Sequence, residues 1–164
     1  MSLLHPKTRS LLLTSVLALA AIVPASRATA AEYQVLHDFP SGQNDGADPY
    51  ADVIFKHGNL YGTTAKGGGN SNAGTVFRIA PDGSETVLYS FSGKADGNYP
   101  YGITLDRSTG DIYGVTGTGG VFNDNCASGC GVIYKLTREG AFRVLHSFTY
   151  SDGKIPVGRL IRDA

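Results

Sequence analysis

Several features are scarce or missing, and each absence excludes something. After an apolar run at residues 11–23 there is no second one, so nothing further along reads as a membrane-spanning helix, which needs about 20 apolar residues. Lysine and arginine total 14 against 14 acids and are nowhere clustered. That argues against nucleic acid, whose phosphates call for a dense basic face. Glutamate occurs only at Glu32, Glu85 and Glu139, and the sequence shows no facing carboxylate pair of the kind glycoside hydrolysis uses. No serine sits in a Gly-x-Ser-x-Gly setting. Lys66-Gly-Gly-Gly-Asn70 lacks the Gly-Lys-Ser/Thr ending of a phosphate loop. Gly and Pro interrupt the chain too often for helices, so helical content is expected near zero.

What is present begins with a leader. His5, Lys7 and Arg9 precede the apolar run with no acid among them, and Ala28-Thr-Ala30 supplies the small residues that a signal peptidase needs. Residues 1–30 therefore read as a signal peptide, with a buried N-terminal helix as the alternative. The cleavage point has no cysteine, which argues against a bacterial lipid anchor, and the expected location is secreted or periplasmic. Residues 31–164 carry eleven bases and fourteen acids, a formal charge of −3. All 22 glycines fall there, spaced as turn residues in a folded protein.

That part repeats itself. Asp45-Gly-Ala-Asp-Pro-Tyr50 matches Asp96-Gly-Asn-Tyr-Pro-Tyr101, and Asp152-Gly-Lys-Ile-Pro156 matches both. Gly58-Asn-Leu-Tyr-Gly-Thr63 matches Gly110-Asp-Ile-Tyr-Gly-Val115, and Gly74-Thr-Val-Phe-Arg-Ile79 matches Gly131-Val-Ile-Tyr-Lys-Leu136. The offset is 52 residues at Tyr61/Tyr113 and 57 at Gly74/Gly131, so one five-residue insertion separates the landmarks. Each unit holds four strand-like runs: 52–55, 60–64, 75–79 and 86–91, then 103–106, 112–116, 132–136 and 143–148. They are rich in β-branched and aromatic residues and bounded by turn residues. Units fall at about 40–91 and 92–148, with a partial third at 149–164. The expected fold is all-β, with propeller-like four-stranded antiparallel repeat units: about two complete units plus half-edges from runs at 33–39 and 157–162, an incomplete or truncated propeller.

These motifs, above all Gly58 to Thr64, Gly74 to Phe91 and the Asp-Gly-x-x-Pro-Tyr sequences, resemble the tandem repeat of Gloeobacter and Verrucomicrobia found in exported bacterial proteins. The resemblance covers essentially all of residues 33–163. It implies export and a propeller-like array, and supplies no catalytic residues to carry over. This chain departs from it in having few repeats and no C-terminal anchor. A closed propeller needs about four blades, so the chain reads as part of a longer array. Unpaired strand edges are then expected to drive self-association.

Candidate chemistry is thin. Cys126 and Cys130 lie in the longer loop of the second unit, and in an exported protein they read as a disulfide shaping that loop. A metal there would need further ligands that the neighbourhood lacks. His37 and His146 occupy the place of Tyr89 and read as packing positions, and His57 as a solvated turn residue. Asn44 to Asp48 offers oxygens but lacks the spaced acids and closing glutamate of a calcium loop, and turn formation accounts for Asp45, Asp96 and Asp152. No cofactor and no catalytic group are expected. In a four-stranded meander the long links share one end, and these carry Asn44, Asp45 and Asp48; Lys66, Asn70 and Asn72; Lys94, Asp96 and Asn98; and Asn123, Asp124 and Asn125. That end is the candidate binding face, for a glycan or cell-envelope surface. The leading reading is thus an exported, non-enzymatic binding or structural repeat module. The alternatives are a propeller-type polysaccharide lyase or hydrolase lacking part of its site, or a non-functional gene remnant.

Overall fold

Alternating β-branched and aromatic residues between Gly- and Asn-rich turns dictate short antiparallel strands, and strands are what form. A computed structural model describes residues 32–40 and 45–161. The expected signal peptide, Asn44 and residues 162–164 lie outside them. Among the described residues there is no helix, and the strands are β1 (Gly46–Pro49), β2 (Ile54–Lys56), β3 (Asn59–Gly67), β4 (Thr75–Ile79), β5 (Glu85–Ser90), β6 (Asn98–Leu105), β7 (Ile112–Thr118), β8 (Val132–Leu136) and β9 (Phe142–Ser147). They make two antiparallel sheets, β1-β3-β4-β5 with β2 also paired to β3, and β6-β7-β8-β9. The sheets do not close into a barrel. An all-β pair of antiparallel sheets, one of five strands and one of four, fits incomplete propeller-like units.

The runs expected as strands at 33–39 and 157–162 carry no strand among their described residues. A strand needs a ladder partner, and among the described residues neither segment has one. Their packing still follows the repeat. Phe39 meets Phe77 at a ring distance of 5.0 Å, as Phe91 of the first unit meets Tyr134 of the second at 5.2 Å. Residues 34–39 thus lie on the first sheet as the end of one unit lies on the next.

The core forms where the two sheets face one another. Val76, Phe91, Ile103, Leu105, Ile112, Val132, Tyr134 and Leu136 form one buried cluster. The third strand of each unit carries an aromatic ring that crosses over a glycine of the second strand. Gly62 pairs with Phe77 and Gly114 with Tyr134. A methyl group at Gly62 would stand 2.6 Å from the Phe77 ring, and one at Gly114 2.4 Å from the Tyr134 hydroxyl. The repeated Tyr-Gly pair is therefore a packing requirement.

Successive units are locked together by the residues around the repeated proline. The Tyr99 N–H donates to Ala73 O at 3.2 Å, and the equivalent Ile155 N–H to Cys130 O at 2.9 Å. Pro100 rests on Gly74 and Pro156 on Gly131. The residue before each proline has a positive φ, 56° at Asp48, 55° at Tyr99 and 53° at Ile155. Residues before proline disfavour helical φ/ψ of either hand, and non-glycine side chains rarely take this one. A strained conformation repeated three times is held by its surroundings and has a structural purpose. Here it aims an N–H at the preceding unit.

Candidate functional site

Two places bring polar groups together. The first is the long-loop end, where many of the expected side chains are bonded within their own loops. Asp96 accepts from Tyr89 Oη at 3.0 Å and from Ser92 N at 2.7 Å. Asp152 accepts from Thr149 N at 2.8 Å and meets His146 Nε2 at 2.9 Å. The recurring aspartate thus ties its turn to the His or Tyr of the preceding strand. The Thr149 amide, first among several donors, holds the Asp152 carboxyl below its ordinary range. Burial, then the Asp96 carboxylate, pushes the Tyr89 phenol up. Asn72 accepts from Gly67 N, Asn98 from Tyr99 N, and Asn123 from Asn125 N. Asp48 pairs with Lys66 at 2.8 Å, both exposed. Asn70, Lys94, Asp124 and Asn125 are exposed. Cys126 and Cys130 are bonded, with Cα atoms 5.3 Å apart.

Beside Asp48 and Lys66 lies a cleft of about 740 Å³ between the first strands of the two sheets, lined also by Tyr50, Tyr99 and Tyr101. Tyr50 and Tyr101 stand edge to face at 6.2 Å, and Tyr50 is 77% exposed. Sequence reasoning missed these tyrosines because they sit beside the repeated proline, where a turn explained them. The signal was Tyr-Pro-Tyr at 99–101, against Asp-Pro-Tyr at 48–50. At the opposite end a second cleft, of about 530 Å³, is rimmed by Lys56, Arg78, Arg107 and Arg138.

The other place is the contact between residues 34–39 and the first sheet. Phe142 of the second unit stacks on Tyr89 at 4.0 Å, with the rings 7° from parallel. One unit earlier, the residues in those places are Glu85 and His37. A stack worth about 0.5–1.5 kcal/mol beyond burial is replaced by a contact of 3.0 Å from His37 Nε2 to Glu85 Oε2. The carboxylate of Asp45 lies beside Glu85. The sequence shows no facing carboxylate pair of the glycosidase kind, and it does not disclose this neighbour. Residues 37, 45 and 85 are too far apart in sequence for any local motif to join them. Burial, then Asp45, pushes the Glu85 carboxyl up to about 8.

Two antiparallel units, of five and four strands, stacked through a repeated aromatic and proline lock define a β-repeat protein. The chain belongs to the Gloeobacter/Verrucomicrobia repeat family, whose profile matches residues 23–164. No curated protein matches it. Among the described residues, no helix is long and apolar enough to cross a membrane.

Proposed function

We propose that the chain is an exported, non-enzymatic binding module that meets a glycan or cell-envelope surface with its long-loop end. The observation that carries this reading is the cleft of Tyr50, Tyr99 and Tyr101 beside the Asp48–Lys66 pair. Aromatic walls with a few fixed polar groups are what small-ligand clefts offer, and a tyrosine presents a flat apolar face and a hydroxyl together. Sugars carry both kinds of surface. Asn70, Lys94, Asp124 and Asn125 extend the same end as exposed polar groups. The bonded cysteine pair and the basic, apolar and small-residue order of residues 1–30 support export. The module also reads as part of a longer array, since segments 34–39 and 157–161 follow the repeat without ladder partners.

The test is retardation of the purified chain in gels containing soluble polysaccharides, with pull-down on insoluble glycans and cell walls. Tyr50→Ala, Tyr99→Ala and Lys66→Ala are expected to weaken binding at least about tenfold, a loss of about 1.4 kcal/mol. Asp82→Ala, Arg107→Ala and Glu139→Ala, at the short-turn end, are expected to leave it unchanged. Binding to none of the glycans, or loss confined to the second set, overturns the proposal. Loss confined to Arg107 and Arg138 variants would instead move the site to the basic cleft at the other end.

A further inference from the structure

A histidine and two carboxyl groups converge where residues 34–39 meet the first sheet, each offering an atom that can ligate a metal. His37 Nδ1 is 3.2 Å from Gly83 O. A carbonyl can only accept, so Nδ1 carries a proton there and Nε2 is the nitrogen that a metal could take. Nε2 faces Glu85 Oε2, 3.0 Å away. The Glu85 side chain is only 8% exposed. Among the described residues neither its Oε1 nor His37 Nε2 has a hydrogen-bond partner, and no lysine or arginine pairs with Glu85 or Asp45. One ligand atom from each of His37, Asp45 and Glu85 lies within 4.8 Å of the others.

We infer that His37, Asp45 and Glu85 form a site for a divalent first-row cation, with zinc the best match. One imidazole nitrogen and two carboxylate oxygens suit zinc, whose ligand atoms lie about 2.0–2.2 Å from the ion and so about 3–4 Å from one another. A small inward movement of the widest pair completes that spacing and leaves a fourth position for water. The Nδ1 proton on a backbone carbonyl is the outer contact that orients metal-bound histidines. The repeat shows what the same place looks like without a cation. Where the first unit meets the second, Tyr89 donates its own proton to Asp96, and Phe142 stands where Glu85 does. Among the described residues, only the junction of residues 34–39 with the first sheet has a histidine and a carboxyl group in those two places. This site is separate from the tyrosine cleft, and its test does not depend on any glycan.

The full chain, freed of metal by a chelator, is titrated calorimetrically with zinc, then with manganese and calcium, and its melting temperature is followed. One zinc per chain is expected, with a rise in melting temperature that grows with free zinc, as binding to the folded state alone requires. Glu85→Gln and His37→Gln should each weaken zinc binding at least about tenfold, and His146→Gln should leave it unchanged. Glu85→Phe, which installs the residue of the second unit, should abolish binding while keeping the β circular dichroism. Should that variant fail to fold, the near-isosteric Glu85→Gln carries the test. No zinc or manganese binding by the unaltered chain, or equal binding by the Glu85 and His37 variants, overturns the inference.

Discussion

At the residue scale, the two complete units act as controls for one another. Phe77 and Tyr134 are equivalent, fully buried, and cross over equivalent glycines. They differ by one hydroxyl, and the Tyr134 hydroxyl has no hydrogen-bond partner among the described residues. Burial pushes its phenol far above the ordinary range. A buried hydroxyl without a partner loses its hydration and gains nothing in return, which costs about 1–3 kcal/mol. Tyr134→Phe, which copies the first unit, is therefore expected to raise stability by about 1 kcal/mol in urea unfolding, with an unchanged slope. A loss of 1 kcal/mol or more would show that the hydroxyl has a partner after all.

At the element scale, the first-to-second strand turn of the second unit is built on two nearly buried aspartates. Asp106 accepts from the amide and hydroxyl of Ser108 at 2.8 and 2.6 Å. Asp111 meets Lys135 at 2.7 Å and the Arg138 amide at 3.2 Å. The Ser108 hydroxyl first, and the Lys135 ammonium first, hold these carboxyls below their ordinary range. A depressed carboxyl contributes stability in full above its unfolded value, near 3.9, and loses it as pH falls toward the folded value. The contribution of these two carboxyls should thus hold from pH 7 to about 5 and be lost below about 4. Glu85, raised to about 8, adds stability as pH falls from about 8 toward about 5, so melting temperature should peak at about pH 5 and fall below about 4. Asp106→Asn and Asp111→Asn should flatten that fall while lowering stability at pH 7; an equally steep fall in both variants would place the acid sensitivity elsewhere. How legible the elements were depended on whether their cause is local. The third strands match their expected bounds at 75–79 and 132–136, because alternation and flanking turns decide them. Gly46–Pro49 was read as a link, since Gly and Pro speak against a strand. It becomes one because β3 runs on to Gly67 and offers a partner at Gly46↔Gly67 and Ala47↔Lys66. The candidate sites were legible in the same proportion. The polar loops could be read, but the meeting of His37 with Glu85 depends on how units stack, which no local pattern records.

At the scale of the whole molecule, the same stacking leaves surfaces open. Val76 on the first sheet is fully buried beneath the second, while Ile133, its counterpart, is only half-buried. The outer segments add apolar exposure, with Leu145 on β9 at 45% and Val35 and Leu36, outside any strand, at 52% and 55%. Residues 34–39 have no ladder partner, and their backbone N–H and C=O groups run beside that apolar surface. A bare strand edge next to exposed apolar side chains is a template for another chain. The formal charge of residues 31–164, −3, is too small to oppose association strongly at ordinary ionic strength, where the Debye length is about 8 Å. The isolated chain is therefore expected to self-associate, with a scattering mass that rises with concentration. Lysine at Leu36 and at Leu145, both exposed, should reverse this without altering the circular dichroism, since charge on an edge is how natural sheets block pairing. A monomer that persists at high concentration in the unaltered chain would mean that these edges are covered from within.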